Sequence, residues 1–132
     1  MQSVTSNAVA QYLNGTVEEG SKIVIRELST SVSNASTLKY TGLSLTLEKE
    51  YFWIVTASAS WNNVQPIEVV VSTSSTNGTG SYVYDSGTFK GRLANCVTFR
   101  SATADLSLYL WARWNNNSQN TVNFKTIGFR KP

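Results

Sequence analysis

The sequence predicts an all-β protein: an antiparallel β-sandwich, jelly-roll-like, of about eight strands, with a short N-terminal helix in front. Three observations predict it. Apolar and polar residues alternate with period two along most of the 132 residues. Turn signals interrupt that alternation roughly every eight to twelve residues, as in sandwiches and barrels. No βαβ alternation of strand and helix patterns, the mark of a parallel sheet, is present. The length suits one domain with room for a genuine core.

The opening residues, Met1 to Leu13, read as the helix. Val4, Ala8, Val9, Tyr12 and Leu13 fall near helical spacing on one side, and Ser6 or Asn7 caps it, or Ser3 if it starts earlier. A helix of about three turns is marginal alone in water. Its apolar stripe therefore needs a partner, either the β-domain behind it or copies of itself. The bland alternative is a fusion remnant or a frayed terminus. Asn14-Gly15 signals a turn, so residues 1–14 are read as a helical stalk or linker and 15–132 as the sandwich.

The strands follow in order. Ser21 to Leu28 carries Ile23 and Ile25 on one face, and Thr37 to Leu47 alternates Leu43, Leu45 and Leu47 against Ser44 and Thr46. After the polar break Glu48-Lys49-Glu50, Tyr51 to Trp61 sets Trp53, Val55, Ala57, Ala59 and Trp61 on one face. Phe52, Ile54, Thr56 and Ser58 take the other. Pro66 starts an element in which Ile67, Val69 and Val71 point one way. Ser72 to Gly80 is a loop, with Asn77-Gly78 suited to a tight hairpin turn. Ser81 to Asp85 is a short strand closed by Asp85-Ser86-Gly87. Ala94 to Ser101 is expected to turn Val97 and Phe99 inward. Asp105 to Trp114 alternates Leu106, Leu108, Leu110, Ala112 and Trp114 against Tyr109, Trp111 and Arg113. Asn115 to Asn120 is a loop, and Thr121 to Arg130 is the last strand.

Composition narrows the function. Charged residues are 14% of the chain, below the usual quarter, and Ser, Thr and Asn take their place, a surface typical of exported or virion-borne β-proteins. The net charge of +3 is spread from Lys22 to Lys131, whereas nucleic-acid binders cluster their cations. One cysteine, Cys96, excludes an internal disulfide and is expected to pack in the core. No stretch has the length and apolarity of a membrane span, and no signal peptide is legible. The sequon-like triplets at Asn14, Asn34, Asn77 and Asn116 are what chance yields in a chain so rich in Asn, Ser and Thr.

Catalysis finds little support. The chain has no His, which removes His-based triads and metal sites, and no calcium-loop or phosphate-loop spacing occurs. Glu27 and Glu68 are the only carboxylates worth weighing as a glycosidase pair; solvated strand faces pairing with Arg26 or Lys22 explain them more simply. The expectation is no enzyme, no cofactor and no metal. Binding fits better. Four Trp and six Tyr supply flat surfaces for the apolar faces of sugar rings. Tyr82, Tyr84, Tyr109 and Trp111 are the candidates off the core face, with Asn115, Asn116 and Asn117 offering paired donors and acceptors. Trp61 and Trp114, beside Asn clusters, are rim candidates, although the faces they share with Val, Leu and Ala favour core packing. Tyr109 and Trp111 also suit a subunit interface.

The segment Val4-Thr5-Ser6-Asn7-Ala8-Val9-Ala10 resembles the VTSNAV phrase of tail-fibre and other tail-associated proteins of phages and prophages of gut bacteria. There it precedes a C-terminal β-rich module, and the aromatic strands, Asn/Ser/Thr loops and Gly-Phe-Arg-Lys ending here are similar in texture. The resemblance implies a tail-borne, extracellular receptor-binding tip excised from a longer chain, with Met1 internal to it. It implies a homotrimer, in which Val4, Ala8 and Leu13 would gather about the threefold axis, and a host surface polysaccharide as partner. A monomeric carbohydrate-binding module of a secreted bacterial protein and a purely structural fibre cap remain the alternatives.

Overall fold

The computed structural model describes residues 22–33, 35–60, 66–90, 93–114 and 120–132. The expected helix with Val4, Ala8 and Leu13, the Asn14-Gly15 turn and Trp61 lie outside the described residues.

Among the described residues nine strands form: β1 (Ile23–Val32), β2 (Ala35–Leu47), β3 (Tyr51–Ser60), β4 (Pro66–Ser72), β5 (Tyr82–Asp85), β6 (Phe89–Lys90), β7 (Leu93–Ser101), β8 (Leu106–Trp114) and β9 (Asn120–Arg130). They make two antiparallel sheets, ordered β1-β9-β3-β7 and β2-β8-β4-β5, with β6 also on β4. The short β5 and β6 lie end to end along the same edge of β4, so eight strand positions are filled. The chain is a β-sandwich, as expected. Every connection but the one after β4 and the bend between β5 and β6 carries the chain from one sheet to the other.

Alternation explains the core. In β3, Trp53, Val55, Ala57 and Ala59 turn inward. In β8 the inward residues are Leu108, Leu110, Ala112 and Trp114, and in β4 Ile67, Val69 and Val71. Val122 and Phe124 of β9 and Leu45 and Leu47 of β2 complete the layer between the sheets. In β1 Val24 is buried and Val32 packs against the core, while Ile23 and Ile25 share the opposite, outer face. Arg26 clamps one end of the sandwich. Its guanidinium donates to both carboxylate oxygens of Glu48 at 2.8 and 2.7 Å and lies 5.7 Å over the Trp53 ring.

Two expectations are corrected. Val97 and Phe99 of β7 point outward, 42% and 73% exposed, and Ala94 and Cys96 fill the core instead. Cys96 lies opposite Ala57 and Ala94 opposite Ala59, on the side where β7 packs across to β4. The β-branched Ile67, Val69 and Val71 already occupy that space, so only small residues fit at interior density. The second correction concerns Asn77-Gly78, which does not make a two-residue hairpin. Residues 73–81 form a long loop in which the Asn77 side-chain oxygen accepts from Thr79 N–H and Gly80 N–H, at 3.1 and 2.8 Å. An Asx-type turn of this kind needs no left-handed residue.

Candidate functional site

The outer face of the second sheet gathers aromatic residues. In β8, Tyr109, Trp111 and Arg113 alternate with the core residues, and the ladder sets Tyr40 of β2 beside Trp111. Tyr40 meets Tyr109 edge-on with centroids 5.7 Å apart, and lies 5.9 Å from the Trp111 ring. Both tyrosines are partly exposed. Between them and the end of β2 the ladder is irregular, with Thr41, Gly42 and Leu43 opposite Leu110 alone. The Thr41 hydroxyl repairs the gap: it donates to the Leu110 carbonyl at 2.7 Å and accepts from Leu43 N–H at 3.2 Å.

Trp111 is a floor rather than a platform. Only 9% of it is exposed, because loop 73–81 folds back over the sheet. Its indole N–H donates to the Ser74 carbonyl at 2.8 Å, and a Cβ on Gly78 would come within 2.6 Å of its ring. Ser72, fully buried beneath the loop, shares its one hydroxyl hydrogen between the carbonyls of Asn77 and Ser81, both at 3.1 Å. Val70 of β4, opposite Trp111 in the ladder, is buried as well.

Next to the aromatics sits an ionic cluster. The Arg113 Nε–H donates to Glu68 at 2.8 Å and its Nη2 to the Thr88 hydroxyl at 2.7 Å. The Glu68 carboxyl is raised above its ordinary value, chiefly by burial and then by a hydrogen bond with the Asp85 carboxyl, with Arg113 opposing. Glu27 stands on the outer face of the other sheet, accepting from Asn123 at 3.0 Å and 3.7 Å from Lys125. The whole sandwich separates it from Glu68, so the two carboxylates share no cleft.

Tyr40 also borders a pocket of about 210 Å³, lined by Ser31, Val32, Ser33, Lys39, Thr41 and Trp114. The Trp114 side chain, a rim candidate by sequence, is 1% exposed. Among the described residues its buried indole N–H has no acceptor, which costs roughly 1–3 kcal/mol. Buried Cys96 has its thiol pushed up to about 12, first by desolvation and then by the Asp85 charge.

Of the residues singled out by sequence, Tyr109 and Trp111 come together, Tyr109 at the surface and Trp111 beneath the loop. Tyr82, 59% exposed, lies opposite Ser72, with Tyr109 on the far side of that strand. Tyr84, 39% exposed, lies opposite Val71, beyond an irregularity in the ladder. Asn115, Asn116 and Asn117 lie outside the described residues. Tyr40 and Lys39 escaped notice. The signal for Tyr40 was available, since it has the parity of Ser44 and Thr46, opposite to Leu43, Leu45 and Leu47.

No family model matches the chain, and no curated protein does. A solved structure from Bacillus endospore appendages, described as a novel family of disulfide-linked pili, is similar over 84% of this chain and 90% of its own. The identity is 11% and the TM-score 0.47. A likeness so slight carries no argument about function.

Proposed function

We propose that this chain is a non-catalytic receptor-binding tip of a phage or prophage tail, displayed as a homotrimer and binding host surface glycan. The observation that carries the reading is the outer face of the second sheet. Tyr40 and Tyr109 stand partly exposed there over a Trp111 floor, beside a small pocket with hydroxyl, ammonium and indole groups. Aromatic faces with a few convergent polar groups suit a saccharide ring, whose C–H face packs on the aromatic while its hydroxyls find donors and acceptors. The likeness of residues 4–10 to the tail-protein phrase supplies the setting, at the virion tail. We read the strand order as a jelly roll, with the N-terminal segment as a helical stalk burying Val4, Ala8 and Leu13 about the axis. Three weak sites on one tip would gain avidity of a hundredfold or more where receptor spacing matches, by about the factor expected of linked sites.

The test is binding of the full chain to gut-bacterial cells and to a panel of their purified surface polysaccharides. Binding should fall at least tenfold in Tyr40→Ala/Tyr109→Ala and stay unchanged in Tyr84→Ala. No binding to any cell or polysaccharide, or binding indifferent to the double substitution, overturns the reading. A monomeric carbohydrate-binding module would use the same face. Light scattering separates the two, a trimer that weakens when the chain starts at Gly15 favouring the tail tip.

A further inference from the structure

The outer face of the first sheet is apolar where a solvated sheet face should be polar. Its four strands are in register without a bulge from Phe52 to Ser60, so outward side chains line up in straight rows across the sheet. One row is Ile23, Phe129 and Phe52, ending in Ser101; the next is Ile25, Ile127, Ile54 and Phe99. Val97 adjoins this second row along β7. Phe99 is 73% exposed, Phe52 49%, and Phe129 41%. Phe52, Ile54, Phe99 and Phe129 enclose a groove of about 360 Å³. Scattered exposed apolar residues are ordinary, but a contiguous patch on one face marks an interaction surface.

The surroundings limit what can cover it. Polar residues follow beyond the apolar rows: Glu27, Lys125 and Thr56, then Ser29, Asn123, Ser58 and Asn95. Lys131 borders the other end, its ammonium 5.1 Å over the Phe52 ring. An apolar centre with a polar rim is the anatomy of a protein–protein interface. Glu27 and Lys125 offset each other at their end of the rim, so an identical face meets no net charge there.

We infer that this face is where copies of the chain pack on one another, three about a common axis with the first sheets turned inward. The inference rests on the homotrimer in the proposed function and names its surface. The dimensions fit. Four strands make a face about 19 Å wide, and sheets pack face to face about 10 Å apart. In a triangular prism with such sides the axis lies roughly 5.5 Å from each face, about half that spacing. Phe52, Ile54, Phe99, Ile127 and Phe129 would then meet their symmetry copies with little void. The full height of the ten-residue β3 brings each face to roughly 600 Å² in outline, of which a trimer gives about half to each neighbour.

The experiment is the mass of the full chain by light scattering, for the natural sequence, for Phe52→Asp/Phe99→Asp and for Tyr82→Asp. A trimer that becomes monomeric only in the double variant, with its near-ultraviolet circular dichroism retained, is the expected result. A monomeric or dimeric natural chain, or a double variant that keeps the trimer mass, overturns the inference. Should the double variant misfold, the methyl signals of Ile25, Ile54 and Ile127 in the natural chain decide. Shielding from a soluble paramagnetic agent in a particle of three chains supports the face as interface. Quenching there overturns it, as does shielding in a monomer, which would mean that residues 1–21 fold back over the face. Tyr40 and Tyr109 lie on the other sheet, so loss of glycan binding with the mass intact faults the receptor reading and not this one.

Discussion

Gly128 of β9 lies directly opposite Trp53 of β3, and a Cβ at Gly128 would come within 2.5 Å of the Trp53 ring. The indole fills the place of the missing side chain, and its N–H donates to the Glu48 carbonyl at 2.9 Å. Gly128→Ala should therefore destabilise the domain by about 1–3 kcal/mol, the usual cost of overpacking. The midpoint of urea unfolding measures it, and an unchanged midpoint would mean that Trp53 has room to shift.

Thr126, two residues earlier on the same inward face, is fully buried, and among the described residues its hydroxyl has no hydrogen-bond partner. Replacing an unsatisfied hydroxyl with a methyl of the same shape removes a desolvation penalty. Thr126→Val should raise stability by about 1 kcal/mol, read as a higher unfolding midpoint at constant slope.

Trp111 holds loop 73–81 to the sheet through its ring and its bond to Ser74. Trp111→Ala should cost about 3–5 kcal/mol, as large-to-small aromatic truncations do, and should increase amide exchange at Ser74 to Gly80. Tyr109→Ala, at the surface, should cost far less. Equal losses from the two would put Tyr109 in the core and remove it as a ligand contact.

Glu68 links stability to mild acid. Its folded value is raised above 4.5 by burial and by Asp85, so between the two values the folded state holds more proton than the unfolded chain. Stability from this group is complete below about 4.5 and is lost as pH rises through the folded value. Glu68→Gln should flatten that part of the stability–pH curve, which chemical denaturation at a series of pH values would reveal.

Cys96 makes the corresponding prediction in alkali. Its thiol is raised from about 9 to about 12 in the fold, so stability should decline between those values as the unfolded thiol ionises and the folded one does not. A thiol reagent at pH 8 should leave the native protein unmodified and react once urea unfolds it. Prompt native labelling would contradict the burial.

Much of the sandwich is legible in the chain. Trp53-Ile54-Val55-Thr56-Ala57 and Leu108-Tyr109-Leu110-Trp111-Ala112 alternate strongly enough to name both faces of β3 and β8, and the leucines of β2 do the same. Period two is a property of the backbone, so a strand with one apolar and one polar face announces itself. β7 does not, because Leu93-Ala94-Asn95-Cys96-Val97-Thr98-Phe99 is apolar in both phases. Local pattern favours the larger Val97 and Phe99, yet the facing residues of β4 leave space only for Ala94 and Cys96.

The candidate site divides along the same line. Sequence parity alone set Tyr109 and Trp111 on the outer face. Whether each stays open to solvent depended on a loop from another hairpin, which covers Trp111 and spares Tyr109. By itself the sequence determined the strands and the two sides of most of them, because alternation acts between neighbours along the chain. The tertiary structure alone decided which side of β7 is core, which aromatic is floor, and that the outer rows from Ile23 to Phe99 merge into one apolar face. Those outcomes follow from strand register and close packing between residues far apart in sequence, where no local pattern reaches.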